Sequence, residues 1–389
     1  MDIYSYTYSI PYVVVIFILF VFSYLESKSS EILKNKLINI VTLLLIFFFG
    51  LRGFIQSDFQ NYYPWFDELL VLKETDLKSL FVDKYEFGFV FLTVFCKSIW
   101  PDYFMWIFLS SLIDIVLLRK IFKDYSVNVC LSFAIYFAIG AIIMEFNLMR
   151  NIKAILILFL SLRYIKEKKM WNFFLCIFVA SLFHITSIIF VPLYFILDKR
   201  WSKKVLLVIF VVCISVLLFR IRFLSIVLPP IASMLGGKYN VMFETYYSSG
   251  MLDASYGISF GLIERVITFF LVYYFYDVWE DKHGNKYIFP NMVIIYFMCF
   301  SLLAEMSVLL ERLAYYFALS YCVFYPNLLK KIRLRNNRLL ICCFIFFIFT
   351  LKVAQQTRTI VCKYDNLLFG IESFEERLIT LNYFNANVQ

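Results

Sequence analysis

Leu37-Ile-Asn-Ile-Val-Thr-Leu-Leu-Leu-Ile-Phe-Phe-Phe-Gly-Leu51 carries no charge and stops abruptly at Arg52. Gly53-Phe-Ile-Gln-Ser-Asp58 and the aromatic cluster Tyr62-Tyr-Pro-Trp-Phe66 follow, with Pro64 read as a helix stop. Apolar runs of this kind recur along all 389 residues, which are 62% hydrophobic and 21% aromatic with a mean hydropathy of +0.79. Soluble domains are nearer half apolar. The chain therefore reads as an all-α polytopic integral membrane protein, a single helical membrane domain over 1–389. An arginine and a carboxylate at the mouth of a span need a reason, because charges near hydrocarbon are costly unless paired, solvated or functional.

The net charge of +9 does not indicate nucleic-acid binding. Lys and Arg concentrate in short loops between spans, the pattern of cytoplasmic loops. Gly (11) and Pro (8) are few, which leans against the broken helices of many alternating-access transporters. The nine Cys are scattered without a C-x-x-C spacing, so neither a disulfide framework nor a metal site is expected. Two His exclude His-rich zinc motifs. No cofactor is expected. The N-terminus lacks a basic leader region and carries Asp2, so the first apolar run reads as a retained span.

Apolar length places the spans and basic loops orient them. A first span over about 10–25 leads to Lys28, Lys34 and Lys36, which puts the N-terminus outside and delivers Arg52 to the outer face. Residues 52–86 form a first outer, or periplasmic, loop with an acidic excess. The run 87–99 is too short to span, since about 20 residues are needed, and reads as a re-entrant or interfacial helix. The stretch 171–197 is bracketed by basic clusters on both sides. If both are cytoplasmic it must enter and return, each limb reaching about 20 Å of a ~30 Å core. A partial hairpin with His184 near its tip fits and is preferred; the alternative is one long span, which would invert everything downstream and put the basic loop 330–338 outside. Pro229-Pro230 opens a second outer loop, 229–259, and an outer C-terminal tail covers 355–389, with an amphipathic helix around Leu367–Leu378. The total is about 11–12 membrane helices including the hairpin.

With this topology the charges at membrane edges sort to one side. Arg52, Asp58, Glu86, Glu145, Arg150, Lys153, Arg220, Arg222, Glu264, Arg265, Glu305, Glu311 and Arg312 fall at or near the outer half. Arg150 and Lys153, three apart, share a helix face. Arginines outside run against the charge rule locally, and an anionic substrate is an economical explanation, since the planar guanidinium suits phosphate oxygens. The bland alternatives are interhelical pairs for Glu264–Arg265 and Glu311–Arg312, interfacial anchors for Arg220 and Arg222, and structural roles for Asp114 and Asp277. For His184 the bland alternative is a hydrogen-bonded core residue.

Arg52 with Asp58 and Tyr62 (R-x5-D-x3-Y), Glu86-Phe-Gly-Phe, Arg150-Asn-Ile-Lys-Ala, Ala180-Ser-Leu-Phe-His184 and Glu311-Arg312-Leu-Ala-Tyr-Tyr-Phe together resemble the EpsG-like family of Wzy-type polysaccharide polymerases, over about residues 37–330. Ser57 stands where the family more often has Gly, and Lys153 is less typical.

The resemblance implies an O-antigen, capsule or exopolysaccharide polymerase in the bacterial inner (plasma) membrane with its active site facing outward. Such an enzyme transfers a growing glycan from undecaprenyl diphosphate to a sugar hydroxyl of an incoming lipid-linked repeat unit. It uses neither metal nor sugar nucleotide. The partners implied are undecaprenyl-diphosphate-linked oligosaccharides, the lipid bilayer and a chain-length regulator protein, with no nucleic acid.

On this reading Arg52, Arg150 and Arg312, with Lys153 and Arg265, bind the diphosphates, and Tyr62 stacks on sugar. Asp58, Glu86 or His184 is the general base, the carboxylates being favoured because a base belongs at the wet outer loop. A flippase for the lipid-linked oligosaccharide and a membrane acyltransferase are the alternatives. The one-sided charges argue against the first, and a cytoplasmic side offering mainly lysines argues against the second.

Overall fold

The computed structural model describes residues 2–76, 78–235 and 260–388. The described residues form an all-α polytopic membrane protein without strands. In chain order the helices begin with α1 (Ile10–Lys28), α2 (Glu31–Gly50), α3 (Phe59–Glu68), α4 (Ser79–Val82) and α5 (Phe87–Ile99). They continue with α6 (Tyr103–Tyr125), α7 (Val129–Tyr136), a π turn (Phe137–Ala141), α8 (Ile142–Phe146), α9 (Met149–Lys166) and α10 (Met170–Ser181). Then come α11 (Lys203–Leu218), α12 (Leu224–Leu235), α13 (Phe260–Phe275), α14 (Ile288–Leu302) and α15 (Ser307–Ala318). The last three are α16 (Tyr321–Lys331), α17 (Arg335–Gln356) and α18 (Phe374–Val388). Four helical stretches among the described residues are long and apolar enough to cross a membrane: Ile10–Lys28, Glu31–Gly50, Val129–Phe146 and Arg335–Gln356. The chain divides into two compact units, one of Met1–Tyr194, Glu280–Asn285 and Tyr321–Gln389, the other of Phe195–Trp279 and Lys286–Ser320.

In the first unit, helix ends are closed by side chains that reach across the bundle. Glu26 is buried, yet its carboxylate accepts from the Val129 amide at 3.0 Å and the Cys130 amide at 2.7 Å. A negative group thus meets the positive end of α7, whose first amides have no partner within the helix. Asn128 caps the same helix through Leu131. At this end the basic loops interlock. Lys123 donates to Asn35, Lys166 to the His283 carbonyl and Lys282 to the Lys123 carbonyl.

The opposite end joins three segments assigned from the sequence to the outside. Ser5 donates to the Arg358 carbonyl, Gln56 to that of Val361, and Leu367 to that of Leu51 at 2.8 Å.

The expected partial hairpin is present. α10 has 12 residues, about 18 Å at 1.5 Å each. The chain turns at Leu182–His184 and returns through 3₁₀ turns at Ile185–Phe190 and Pro192–Phe195. The Tyr194 ring packs on Phe173 and Phe174 at the open end.

Three local expectations shift. Pro64 lies inside α3 and does not end it. The tail helix begins at Phe374, later than expected, because Ser373 and Glu376 form a reciprocal capping box there. Pro229 and Pro230 sit within α12, and residues 236–259 of the second outer loop lie outside the described residues.

In the second unit, buried Glu305 accepts from the amides of Leu224 and Ser225, both at 2.9 Å, and so closes the start of α12. Asp277 pairs with Arg200 at 2.9 Å, a structural partner as expected.

Candidate active site

Three of the residues singled out in the sequence converge in the first unit. Glu86 stands immediately before α5, Arg150 in the first turn of α9, and His184 at the hairpin tip. Glu86 bridges the other two: Arg150 donates to Oε2 at 2.5 Å, and His184 Nδ1 lies 3.0 Å from Oε1. The Glu86 and Arg150 side chains are 21% and 23% exposed and that of His184 9%, so the cluster is sheltered but reachable.

A glycine holds it together. The Gly88 amide donates to the Leu182 carbonyl at 2.7 Å, and a Cβ on Gly88 would stand 2.8 Å from that oxygen and 3.0 Å from the carbonyl carbon. Only glycine lets the two backbones approach so closely. The glycine of Glu86-Phe-Gly-Phe is thus a contact point, a signal legible in the sequence but not singled out there.

The electrostatics decide the tautomer. Partial burial pushes the Glu86 carboxyl up, but the hydrogen bond from His184 and the Arg150 charge outweigh it and bring its pKa down to about 2. An ionised carboxylate only accepts, so His184 must carry its proton on Nδ1. When the imidazole is neutral its Nε2 then presents a lone pair, and it has no partner among the described residues. This carboxylate–imidazole pairing orients a general base. Glu86 itself, ionised and committed to the Arg150 guanidinium and the His184 N–H, is a poor proton acceptor.

Arg150 is framed by two tyrosines. Tyr62 lies close enough to feel its charge, and the guanidinium lies over the Tyr85 ring at 4.5 Å. Its Nε is buried and has no hydrogen-bond partner among the described residues. Burial raises the Tyr62 and Tyr85 hydroxyls above their usual range, with the Arg150 charge opposing and Asp58 adding to the rise. Asp58 is thus close to the cluster. Its amide and that of Ser57 both donate to Asn147 Oδ1 at 3.3 Å, which ties the loop to the turn before Arg150. Asn147 and Tyr85 were not singled out in the sequence. The Tyr62, Trp65 and Phe66 side chains are buried against Phe89 and Trp106, so this aromatic cluster packs α3 onto α5 and α6.

Arg52 and Lys153 lie elsewhere. Arg52 is 3% exposed and donates to the carbonyls of Phe49 and Glu145, each at 2.7 Å. Lys153 is buried against Asp114 and Ser110 of α6. Both guanidinium and ammonium serve contacts within the bundle. Arg265 and Arg312 belong to the second unit, where Arg265 lies 3.4 Å over the Phe300 ring and Arg312 is half-buried in α15. No three metal-ligating side chains converge among the described residues.

The EpsG family model matches residues 35–364, a span holding every residue of the cluster. The chain belongs to the EpsG family. EpsG-like proteins are Wzy-type polysaccharide polymerases. No curated protein and no solved structure matches the chain. In this EpsG-family chain, Arg150-Asn-Ile-Lys, Glu86-Phe-Gly and the residues ending at His184 are the segments that meet in space.

Proposed function

We propose that the protein polymerises glycan by transferring a growing chain from undecaprenyl diphosphate to a sugar hydroxyl of an incoming lipid-linked repeat unit at the outer face of the plasma membrane. The observation that carries this reading is the Glu86 bridge between Arg150 and His184. It sets a cation for a phosphate leaving group beside an oriented base.

His184 Nε2 takes the proton from the acceptor hydroxyl as its oxygen bonds to the anomeric carbon. The bond from that carbon to the diphosphate oxygen breaks, and undecaprenyl diphosphate leaves with the electron pair. Arg150 stabilises the charge that develops there, the contribution that a preorganised donor makes in a sheltered site. Glu86 fixes the imidazole and the guanidinium, and Asp58 shapes the approach to them. The donor carries its own leaving group, so no sugar nucleotide enters the step. Arg52 and Lys153 support the bundle, and no step rests on Arg265 or Arg312. A chain-length regulator protein would set how many transfers occur.

The test is the glycan of a deletion strain complemented with wild type or His184→Ala. The reading expects surface glycolipid capped with a single repeat unit in the deletion and in the variant, and a polymer ladder with wild type. Loss of all surface glycan with precursor trapped inside would mark a flippase, and full-length polymer lacking a substituent an acyltransferase. Either would overturn the proposal.

A further inference from the structure

α5 is 13 residues long, too short to span, and its two faces differ sharply. Phe89, Val90 and Val94 are buried, whereas Phe91, Phe95 and Ile99 are 41%, 47% and 61% exposed. The exposed aromatics sit four residues apart, hence on one face, and the row begins at Phe87, the residue after Glu86. Phe81 stacks on Phe87 at 4.3 Å, and the Phe87 and Phe91 rings are 6.0 Å apart. From Phe87 to Ile99 the row runs about 18 Å along the helix. Ile185, 57% exposed, flanks its start with its amide 3.5 Å from the Glu86 carboxylate.

We infer that this row is the docking track for the isoprenoid chain of the lipid diphosphate, an inference that rests on the polymerase reading above. The chemistry follows from continuity. A diphosphate held at Arg150 must place the first isoprene units within a few ångströms of the cluster, because they are covalently attached to it. An apolar surface that begins beside Glu86 and leads away from it is the face of half-buried Phe87 and exposed Phe91 and Phe95. Aromatic rings bury large area per residue at low entropic cost, and a row of them offers a continuous surface to one extended chain. The charged head and apolar chain would then bind together, with the chain never leaving the bilayer.

The experiment introduces a benzophenone photocrosslinker singly at Phe91 and Phe95, and at two exposed control positions, Val14 on α1 and Leu43 on α2. Variants that restore polymer in the deletion strain are placed in phospholipid nanodiscs with tritiated undecaprenyl diphosphate. Labelling at 91 and 95 should exceed that at 14 and 43 several-fold, fall when unlabelled undecaprenyl diphosphate competes, and drop to the control level with Arg150→Ala. Equal labelling at all four positions, or labelling that is not competed, would show bulk-lipid contact only and overturn the track. Labelling is read separately from polymer formation. Uniform labelling in variants that still polymerise sinks the track alone, whereas a deletion strain with full-length glycan sinks the polymerase reading. If neither crosslinker variant supports polymer, Phe81 is the third labelling site and the same comparison decides.

Discussion

The Gly88 amide and the Leu182 carbonyl meet at 2.7 Å, and this contact fastens the start of α5 to the tip of the hairpin. Leu182 precedes His184 by two residues and Gly88 follows Glu86 by two, so the contact sets the Glu86–His184 distance. Gly88→Ala would press a methyl group against backbone, which cannot yield as a side-chain end can. The tip must shift, at a cost of about 1–3 kcal/mol. We expect loss of polymer with the protein still present in the membrane. The check is a glycan ladder alongside a thermal midpoint in detergent. A full ladder from Gly88→Ala would show that the contact does not position the site.

His184→Ala should lower the transfer rate about a hundred- to ten-thousand-fold, the usual contribution of a positioned acid or base, while the thermal midpoint moves little. Single-turnover transfer from a synthetic lipid-linked repeat unit measures it. A rate near wild type would remove His184 from the chemistry and return the assignment to Asp58.

The pH dependence of stability reports on Glu86. Its carboxyl is held near 2, against an ordinary value of 4.5, so the folded state favours the ionised form. The stability this contributes is complete above pH 4.5 and is lost as pH falls toward 2. Glu86→Gln removes the charge at every pH. Its midpoint should lie below wild type at neutral pH, and the gap should close as the pH is lowered through that window. A gap independent of pH would mean that the pairing with Arg150 and His184 does not stabilise the fold.

Much of the architecture was legible because it follows from length and flanking charge. The hairpin is one case. An apolar stretch between two basic clusters returns to the side it entered if both clusters are cytoplasmic, and a limb of twelve residues can reach only part of the way. The pairing of charges was not legible. Arg52 and Arg150 look alike in the sequence, each at the edge of an apolar run near a carboxylate. What separates them is remote in the chain: Asn366 bridges the Arg52 backbone, and Glu145 supplies a carbonyl to its guanidinium. Glu86 reaches Arg150 across 64 positions. Periodicity carries no information about such contacts. The partners of Glu86 were hidden for a related reason, since Arg150 and His184 come beside it only in three dimensions.

Arg52→Ala and Arg150→Ala should therefore differ in kind. The Arg52 change leaves two buried carbonyls without their donor, about 1–3 kcal/mol each, and should lower protein level and thermal midpoint together with activity. Arg150 pairs with Glu86 and lies over the Tyr85 ring at a part-exposed site, and its replacement should abolish polymer with the protein level kept. Quantitative immunoblots of membranes beside glycan ladders distinguish them. A stable but inactive Arg52→Ala would restore that arginine to the substrate site.

Lys153 and Asp114 form an ion pair whose side chains are 3% and 2% exposed, with Ser110 as a second acceptor for the ammonium at 2.8 Å. One carboxylate oxygen, Asp114 Oδ1, has no hydrogen-bond partner among the described residues, so the pair is incompletely satisfied there. Removing one partner strands a charge in a low-dielectric interior, which costs about 3–5 kcal/mol, whereas replacing both by apolar residues of similar volume is often neutral or stabilising. Lys153→Met alone should thus reduce folded protein sharply, as should Asp114→Leu alone. The double variant should recover most of the wild-type thermal midpoint. It should also recover polymer, because Arg150, one turn away on the same face of α9, keeps its contacts with Glu86. If the double variant folds as well as wild type yet makes no polymer, Lys153 acts on substrate and the pair is more than a tie between α6 and α9.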